Sequence, residues 1–421
     1  LILFIVLLFI VVAAVAALYF VDPSIFRGQL QARATAALGR QVQFNGPISL
    51  EKSLRPRIIV EDVTIANPQW ASGTHFARAE KAGVQVALLP LLQGDLRVLD
   101  VAFTGVDLFI EEGSGGLNNY TFVDMQALEE TTVLPAVERL LLQDMTIHHR
   151  GADGRLTNYK IVEARLWNIP GEPERIEGNG IAKGMPFTIL LAADSASELS
   201  GPEKPWSIKA ELQGPDMFLS LKGSMQRAFK FGVGDYRISL NGQQADSLES
   251  LFDVKFPTTG PFDVSWALKV NRGFFHLSEL AAHVRGPEGT PEIQVSSGEA
   301  TGGLDAPLRI DLQGQLGDAP FALNLNSEVP INEASRTKPW PLKALLNISD
   351  INLNIQGAVI PETAVERFEF DTQLQGDTLQ TLAQLLDTDL PRTGPYQLSF
   401  HTQYAEGDIT MTNLKGSLKD F

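Results

Sequence analysis

Beyond residue 40 the chain alternates apolar and polar residues with a period of two, segment after segment, and this constrains its fold more than any other feature. "DLRVLDVAFTGVDLFIEE" carries Leu99, Val101 and Phe103, then Val106, Leu108 and Ile110. "PFTILLA" carries Phe187, Ile189 and Leu191; "WSIKAELQG" carries Ile208, Ala210 and Leu212. "LRIDLQG" carries Leu308, Ile310 and Leu312; "FALNLNS" carries Phe321, Leu323 and Leu325. Side chains two apart on a strand share a face, so each segment reads as a strand with one apolar and one polar side. Unbroken apolar runs, expected of parallel sheets covered on both sides, are absent after residue 21. The expected class is therefore mostly β and antiparallel. The parity of the alternation changes at Gly105, which predicts a bulge there.

Many strands close on an x–apolar–x–Gly phrase, ending at Gly214, Gly223, Gly242, Gly286, Gly314, Gly357, Gly376 and Gly416. Glycine suits the positive φ of a tight turn, so these endings predict a long meander. Helical spacing is rare. It marks 123–145, broken near Pro135, and the short segments 247–252 and 378–386. Alternation alone leaves two architectures open. In a sandwich the apolar faces meet each other; in an open groove they meet something else.

Residues 1–21, "LILFIVLLFIVVAAVAALYFV", carry no charge. As a helix they would span roughly 30 Å, the thickness of a bilayer core, with Tyr19 and Phe20 at its interface. The rival reading is a signal peptide cleaved after Ala14-Val15-Ala16. Either way the remainder is exported. A short helix is expected over 23–38, capped by Asp22, opened by Pro23 and stopped by Gly39. Its neighbourhood holds Arg27, Arg33 and Arg40, which suit lipid headgroups or a solvated face equally well. The chain opens on Leu1 and stops within a strand-like pattern, so it reads as a piece of a longer protein.

Composition excludes several functions. Fifty acidic residues against 34 basic ones leave a net charge of −16, the wrong sign for a nucleic-acid partner. The absence of cysteine rules out disulfides and thiolate metal sites. His148 and His149 are adjacent and so point to opposite faces of a strand; His75, His276, His283 and His401 read as unrelated. No metal site, cofactor or catalytic residue is expected. "GNGIAKG" at 178–184 has the wrong glycine spacing for a dinucleotide loop and reads as turn glycines.

The chain also repeats itself. Residues 238–285 align with 372–419 without a gap, at an offset of 134. Leu240 matches Leu374, Gly242 matches Gly376, and Val264 and Trp266 match Leu398 and Phe400. "PTTGPF" at 257–262 matches "PRTGPY" at 391–396. A fixed interval signals an elongated array whose units pack on their neighbours.

Three further phrases, in order and spacing, carry a resemblance. They are Gly39-Arg40, Asn67-Pro68-Gln69-Trp70 and Leu89-Pro90-Leu91-Leu92-Gln93-Gly94, followed by "GGLNNYTF" with Tyr120 where the pattern has tryptophan. Together with the anchor and the repeats, they make the chain similar to the AsmA-like family of bacterial envelope proteins. The resemblance implies an inner-membrane anchor at 1–21, a bulk in the periplasm, and a long twisted antiparallel sheet curved into an elongated groove with a few short helices. It implies phospholipids as cargo, moved between inner and outer membrane, and an outer-membrane or periplasmic protein partner at the missing C-terminal end. The alternative is a structural or regulatory envelope protein acting through protein contacts.

On this reading 1–21 is the anchor, 22–43 a membrane-proximal helix and 44–125 an AsmA-like β region. The groove continues over 126–237 with one helical interruption, then through a repeat at 238–371 and a truncated second one at 372–421. The expected groove lining is Val101, Phe103 and Leu108; then Phe187, Ile189, Leu191 and Ile208. It continues with Leu240, Val264, Trp266 and Leu268, then Ile310, Leu312, Phe321 and Leu323, and ends with Leu398 and Phe400.

Overall fold

The computed structural model describes residues 23–51, 56–87, 98–113, 118–120, 137–151, 154–169, 172–194, 205–226, 232–244, 260–286, 290–333, 338–360, 367–385, 388–391, 394–405 and 408–419. The segment expected to cross a membrane, the helix expected at 247–252, and the Leu89–Gly94 phrase lie outside these residues. No helix among the described residues is long and apolar enough to span a membrane. The chain divides into two compact units, Leu1–Glu198 with Leu212–Pro215, and Leu199–Glu211 with Asp216–Phe421.

The first unit opens with a 3-10 turn, Pro23–Phe26, and helix α1, Arg27–Leu38. Gly39 ends the helix at φ +64°, as expected of a glycine stop. β1 (Val42–Phe44) and β2 (Ile48–Glu51) both pair with β3 (Arg57–Ile65). β4 (Ala77–Val86), β5 (Val98–Glu111), β6 (Val137–Arg150), β7 (Leu156–Trp167), β8 (Glu174–Ala182) and β9 (Met185–Ala193) follow in chain order. Each pairs antiparallel with the next except β5 and β6, which are parallel. That pair corrects the expectation of a wholly antiparallel sheet.

β6 also corrects the helix expected over 123–145, of which residues 137–145 form strand. Leu140 and Leu142 share one face, Asp144 takes φ +53°, and Met145 and Ile147 then return to that face. The extra residue at the kink produces apolar spacings of two, three and two, which imitate a helix in the sequence.

The same device explains the parity change at Gly105. No register shift occurs there; Gly105 takes φ +63° and lies level with Asp144 and with Glu80 between unshifted partners. Asp62 on β3, level with Glu80, takes φ +48°. One extra residue thus crosses β3 to β7 as a transverse line. It ends in a register shift between β7 and β8 at Ile161/Glu163. On the other side it meets the break between β1 and β2, where Asn45 donates to Asp62 O. The bulge inferred at Gly105 therefore sits at the line's end, and the line itself inverts parity in every strand it crosses.

The second unit holds β10 (Trp206–Gln213), β11 (Met217–Met225), β12 (Val233–Gly242), β13 (Phe262–Asn271), β14 (Phe274–Val284), β15 (Ile293–Gly303), β16 (Ala306–Leu316) and β17 (Ala319–Pro330). β18 (Trp340–Ile348), β19 (Ile351–Ile360), β20 (Arg367–Gly376), helix α2 (Leu379–Leu385), β21 (Tyr396–Ala405) and β22 (Asp408–Leu418) complete it. From β11 to β22 each strand pairs antiparallel with the next. The helix expected at 378–386 is α2, and Asp350 caps it by accepting from the amides of Asp377 and Thr378 at 3.1 and 3.3 Å.

The hairpins do not use the glycines that the sequence suggested. Gly223, Gly314, Gly357 and Gly416 lie inside strands, and none of the eight has positive φ. Tight turns among the described residues include Lys183-Gly184 and Arg272-Gly273, with both residues at positive φ, Gly317-Asp318, and Ser349-Asp350, where Ser349 takes φ +51°. Of "GNGIAKG", only Gly184 turns the chain; Gly178 and Gly180 belong to β8. The strand glycines have another role. An aromatic ring from the neighbouring strand lies over each of several: Tyr236 over Gly223, Phe321 over Gly314, Phe370 over Gly357, Phe187 over Gly180. A missing side chain admits the ring flat against the backbone.

The repeat is longer than its clearest sequence match. "KPW" at 204–206 recurs at 338–340, and from there the offset of 134 holds to Arg285 and Lys419. β10–β14 thereby correspond to β18–β22, and the paired registers of β11–β14 coincide with those of β19–β22. The shift between Ser265 and Ala267 recurs between Ser399 and His401. Across from these shifts Glu279 and Asn413, again 134 apart, both take positive φ, 54° and 55°. The TGP phrases close the same joint in each copy: Arg285 donates to Pro261 O, and Lys419 to Pro395 O.

Candidate functional site

Within each unit the registers assemble the alternating residues into one apolar and one polar face. In the first unit Val101 lies between Val84 and Leu140, Phe103 between Ala82 and Leu142, and Leu108 between Ala77 and Ile147. Leu191, Ile189 and Phe187 stand opposite Ile176, Gly178 and Gly180. The other side presents Glu61, Lys81, Thr104, Gln143, Glu163, Asn179 and Thr188 in one row.

In the second unit Leu312, Leu323, Leu346, Leu353, Leu374 and Leu398 form a row of six leucines on six consecutive columns. A second row runs Leu240, Val264, Ala282, Val295, Gly314 and Phe321. Trp266 faces Ile238, Leu268 lies between Tyr236 and Leu277, Ile310 between Ala300 and Leu325, and Phe400 faces Thr372. Ile208 is buried in β10. The opposite face carries Arg309, Asn326, Lys343, Gln356, Asp371 and His401 in one row.

Burial separates a filled sandwich from an open sheet. A core residue facing a second sheet is sealed from solvent. Here the leucine row, Trp266, Ile310 and Phe321 are half-buried, and along β16 half-buried apolar positions alternate with exposed polar ones. Each apolar face therefore remains reachable among the described residues.

Two tyrosines show what the apolar side tolerates. Tyr236 and Tyr396 are buried, 6% and 4% exposed, and neither hydroxyl has a hydrogen-bond partner among the described residues. At the repeat offset their positions are taken by Phe370 and Phe262. Each site thus works with either ring, and the hydroxyls contribute nothing to packing. We expect Tyr236→Phe with Tyr396→Phe to hold stability or raise it by up to about 1 kcal/mol in urea melts near pH 8. Burial pushes both phenols up, helped by Asp235 beside Tyr236 and Asp350 near Tyr396. Their contribution is intact below about pH 10, where the unfolded phenol begins to ionise, and falls as pH rises further. The double variant should lose less stability there than the native chain.

The histidines are less scattered than the sequence implied. His75 and His148, on separate elements, both approach Asp107, at 3.9 and 3.4 Å. No group of three His, Cys, Asp or Glu among the described residues is arranged to hold a metal ion.

The polar side of the first unit carries a hub that sequence reading did not find. Asn119, fully buried, accepts from Glu111 N at 2.8 Å and donates to Phe109 O at 2.7 Å and to Asn67 Oδ1 at 3.0 Å. Asn67 donates onward to Gly73 O and His75 O, both at 3.0 Å. Glu111 accepts from the amide and hydroxyl of Ser72. Arg40 lies over the Phe76 ring at 5.2 Å. The motif phrases that stand apart in sequence, at 67 and 119, thus meet through one amide pair. The AsmA family model matches residues 1–135. Over these residues the chain is AsmA-like. Comparison with curated proteins and with solved structures returns no match. Within the AsmA-like region the hub fixes the loop 66–76 against the end of β5, while Trp70 and Tyr120, the motif aromatics, are 40% and 45% exposed.

Proposed function

We propose that this AsmA-like chain shields phospholipid acyl chains on its apolar faces and passes lipid between inner and outer membrane, in support of outer-membrane biogenesis. Residues 1–21 would anchor it in the inner membrane with its bulk in the periplasm. The observation that carries the reading is the reachable apolar face in each unit, exemplified by the six-leucine row. Lipid tails are the occupant that such a face suits: each methylene withdrawn from water contributes roughly 0.8 kcal/mol. No single position is required for holding, so chains can slide along the row while headgroups stay wet. The process needs no catalytic group and no cofactor.

Native mass spectrometry of the chain purified from membranes tests this. Copurifying phospholipid is expected, and Val264→Asp or Leu398→Asp should lower its occupancy at least severalfold, because an unpaired carboxylate among acyl chains is poorly solvated. Folding is checked in parallel by circular dichroism. A photocrosslinker at Trp266 should capture lipid, and one at Ser265, which pairs with Ser239 on the polar face, should not. A folded, lipid-free chain, or equal adducts at both positions, would sink the proposal. It would leave a structural envelope protein acting through protein contacts.

A further inference from the structure

We propose that the polar face of the second unit, from β16 to β21, binds an uncharged glycan strand laid across its strands, sugar rings against amide side chains. Two neighbouring rows of that face cross five strands. One runs Ala322, Asn347, Asn352, Gln375 and Gln397; the other runs Asn324, Leu345, Asn354, Gln373 and Ser399. Seven of these ten positions are amides and none is charged, in a chain where 20% of residues are charged. Asn324 donates to Asp311 Oδ1, and Asn352 to Asp350 O at 3.4 Å. The side chains of the other five amides make no hydrogen bond among the described residues. Folding does not require them. At the repeat offset Asn352, Asn354, Gln373 and Gln397 are replaced by Phe218, Ser220, Ser239 and Asp263, on the same face of β11–β13.

The face is hollowed where the rows begin. Ser327, 4% exposed, accepts from Leu308 N and donates to Val329 O, both at 2.8 Å, and the ladder between β16 and β17 shifts between Pro307 and Arg309. At this irregularity lies a cavity of about 540 Å³, whose lining includes Arg309, Asp311, Asn324, Asn326 and Glu328. A cleft of this size holds a small organic ligand, and a polar lining selects a polar one. Arg309 makes no ion pair or hydrogen bond among the described residues, so its planar fork of donors is free for a ligand. The rows beyond select the partner. An amide both donates and accepts, as a hydroxyl does, so amide pairs match vicinal hydroxyls and acetamido groups. Nucleic acid or an anionic headgroup calls for clustered cations, which the rows lack. A protein partner calls for an aromatic or apolar centre, and the rows hold only Leu345 and Ala322 as apolar side chains. Leu345, 43% exposed between Asn324 and Asn354, suits the C–H face of a sugar ring. Strands lie about 4.8 Å apart and same-face positions on one strand about 6.8 Å, so each strand offers one sugar-sized step. Asn352 with Asn354, and Gln373 with Gln375, then flank a ring on both sides. This face lies opposite the leucine row, so the proposal stands whether or not lipid is carried.

The probe is β-1,4-linked N-acetylglucosamine, from dimer to hexamer, titrated calorimetrically into the whole chain in a detergent without a sugar headgroup. Affinity should rise at least tenfold from dimer to hexamer, because each added ring reaches another strand. It should hold within twofold from about 50 to 500 mM salt, since no charges are exchanged. Asn354→Ala with Gln373→Ala should weaken hexamer binding at least fivefold and leave the urea midpoint in place, because both side chains are exposed and bond to nothing among the described residues. Copurifying lipid should be unchanged in that variant, whose substitutions lie on the other face. Ser220→Ala with Ser239→Ala, the same positions in the first copy, should bind as the native chain does. No binding by any oligomer, affinity independent of length, or equal loss in both double variants would overturn the proposal. So would tighter binding of an oligogalacturonate of the same length, which would make Arg309 and Lys343 an anion site instead.

Discussion

Gly357→Val should cost about 3 kcal/mol of stability and loosen β19 from β20 before the rest of the second unit unfolds. A Cβ at this position falls 1.9 Å from Glu369 O and 2.7 Å from the Phe370 ring. The first of these is backbone of the paired strand, so no rotamer change relieves it. The valine must either push β20 away, breaking ladder bonds between β19 and β20, or expel Phe370 from its place over the glycine. Gly223→Val repeats the experiment in the first copy, where Cβ falls 2.2 Å from Asp235 O and 2.8 Å from Tyr236. The control is Gly232→Ala. That residue is exposed, with no atom within 4 Å of the added carbon, and should shift stability by no more than about 0.5 kcal/mol. Hydrogen exchange at β19 and β20, read beside the urea midpoint, separates a local opening from a global loss. Equal midpoints for Gly357→Val and Gly232→Ala would show that the ring-over-glycine contact does not hold these strands.

The alternation was legible because the sheet obeys it. Every strand with clean period-two spacing, from "PFTILLA" to "FALNLNS", is present, and the residues expected on one face do share it. What sequence misread were places where one residue plays against the period. The kink at Asp144 made β6 look helical, because an inserted residue with positive φ converts a two-residue spacing to three. Glycine misled for a related reason. In isolation it signals a turn, yet inside a strand it makes room for a ring on the neighbouring strand, and that neighbour is 13 residues away for Gly223 and Tyr236. The parallel pairing of β5 and β6 left no mark, since neither strand is an unbroken apolar run. The repeat was visible over its best-matched half. Its remaining half, from Lys204 and Lys338, became evident only when registers could be compared, because packing conserves the position of a glycine or bulge more strictly than the identity of its flanks.

Asn119→Ala is expected to destabilise the first unit by about 3 kcal/mol, although the residue lies on no strand and touches no expected lining position. The side chain satisfies three partners at once: it accepts from Glu111 N and donates to Phe109 O and Asn67 Oδ1. Alanine removes all three bonds and opens no path for water, because the residue is fully buried. The cost is that of leaving buried polar groups unpaired, which exceeds the net value of the bonds themselves. Asn119→Asp should do no better. Its oxygen still accepts from Glu111 N, but both donors are gone, and a negative charge then faces Phe109 O and Asn67 Oδ1. Asn67→Ala should cost less, about 1–2 kcal/mol, since Asn119 keeps two of its bonds. A double-mutant cycle on Asn67 and Asn119 isolates their shared bond, and residues joined in one network should fall short of additivity. Hydrogen exchange should rise at 66–76 and 111–120 together in either single variant, because the amide pair is what ties the loop to the end of β5. If Asn119→Ala melts within about 0.5 kcal/mol of the native chain, the two motif phrases are held together by something other than this pair, and the physical reason offered here for their joint occurrence fails.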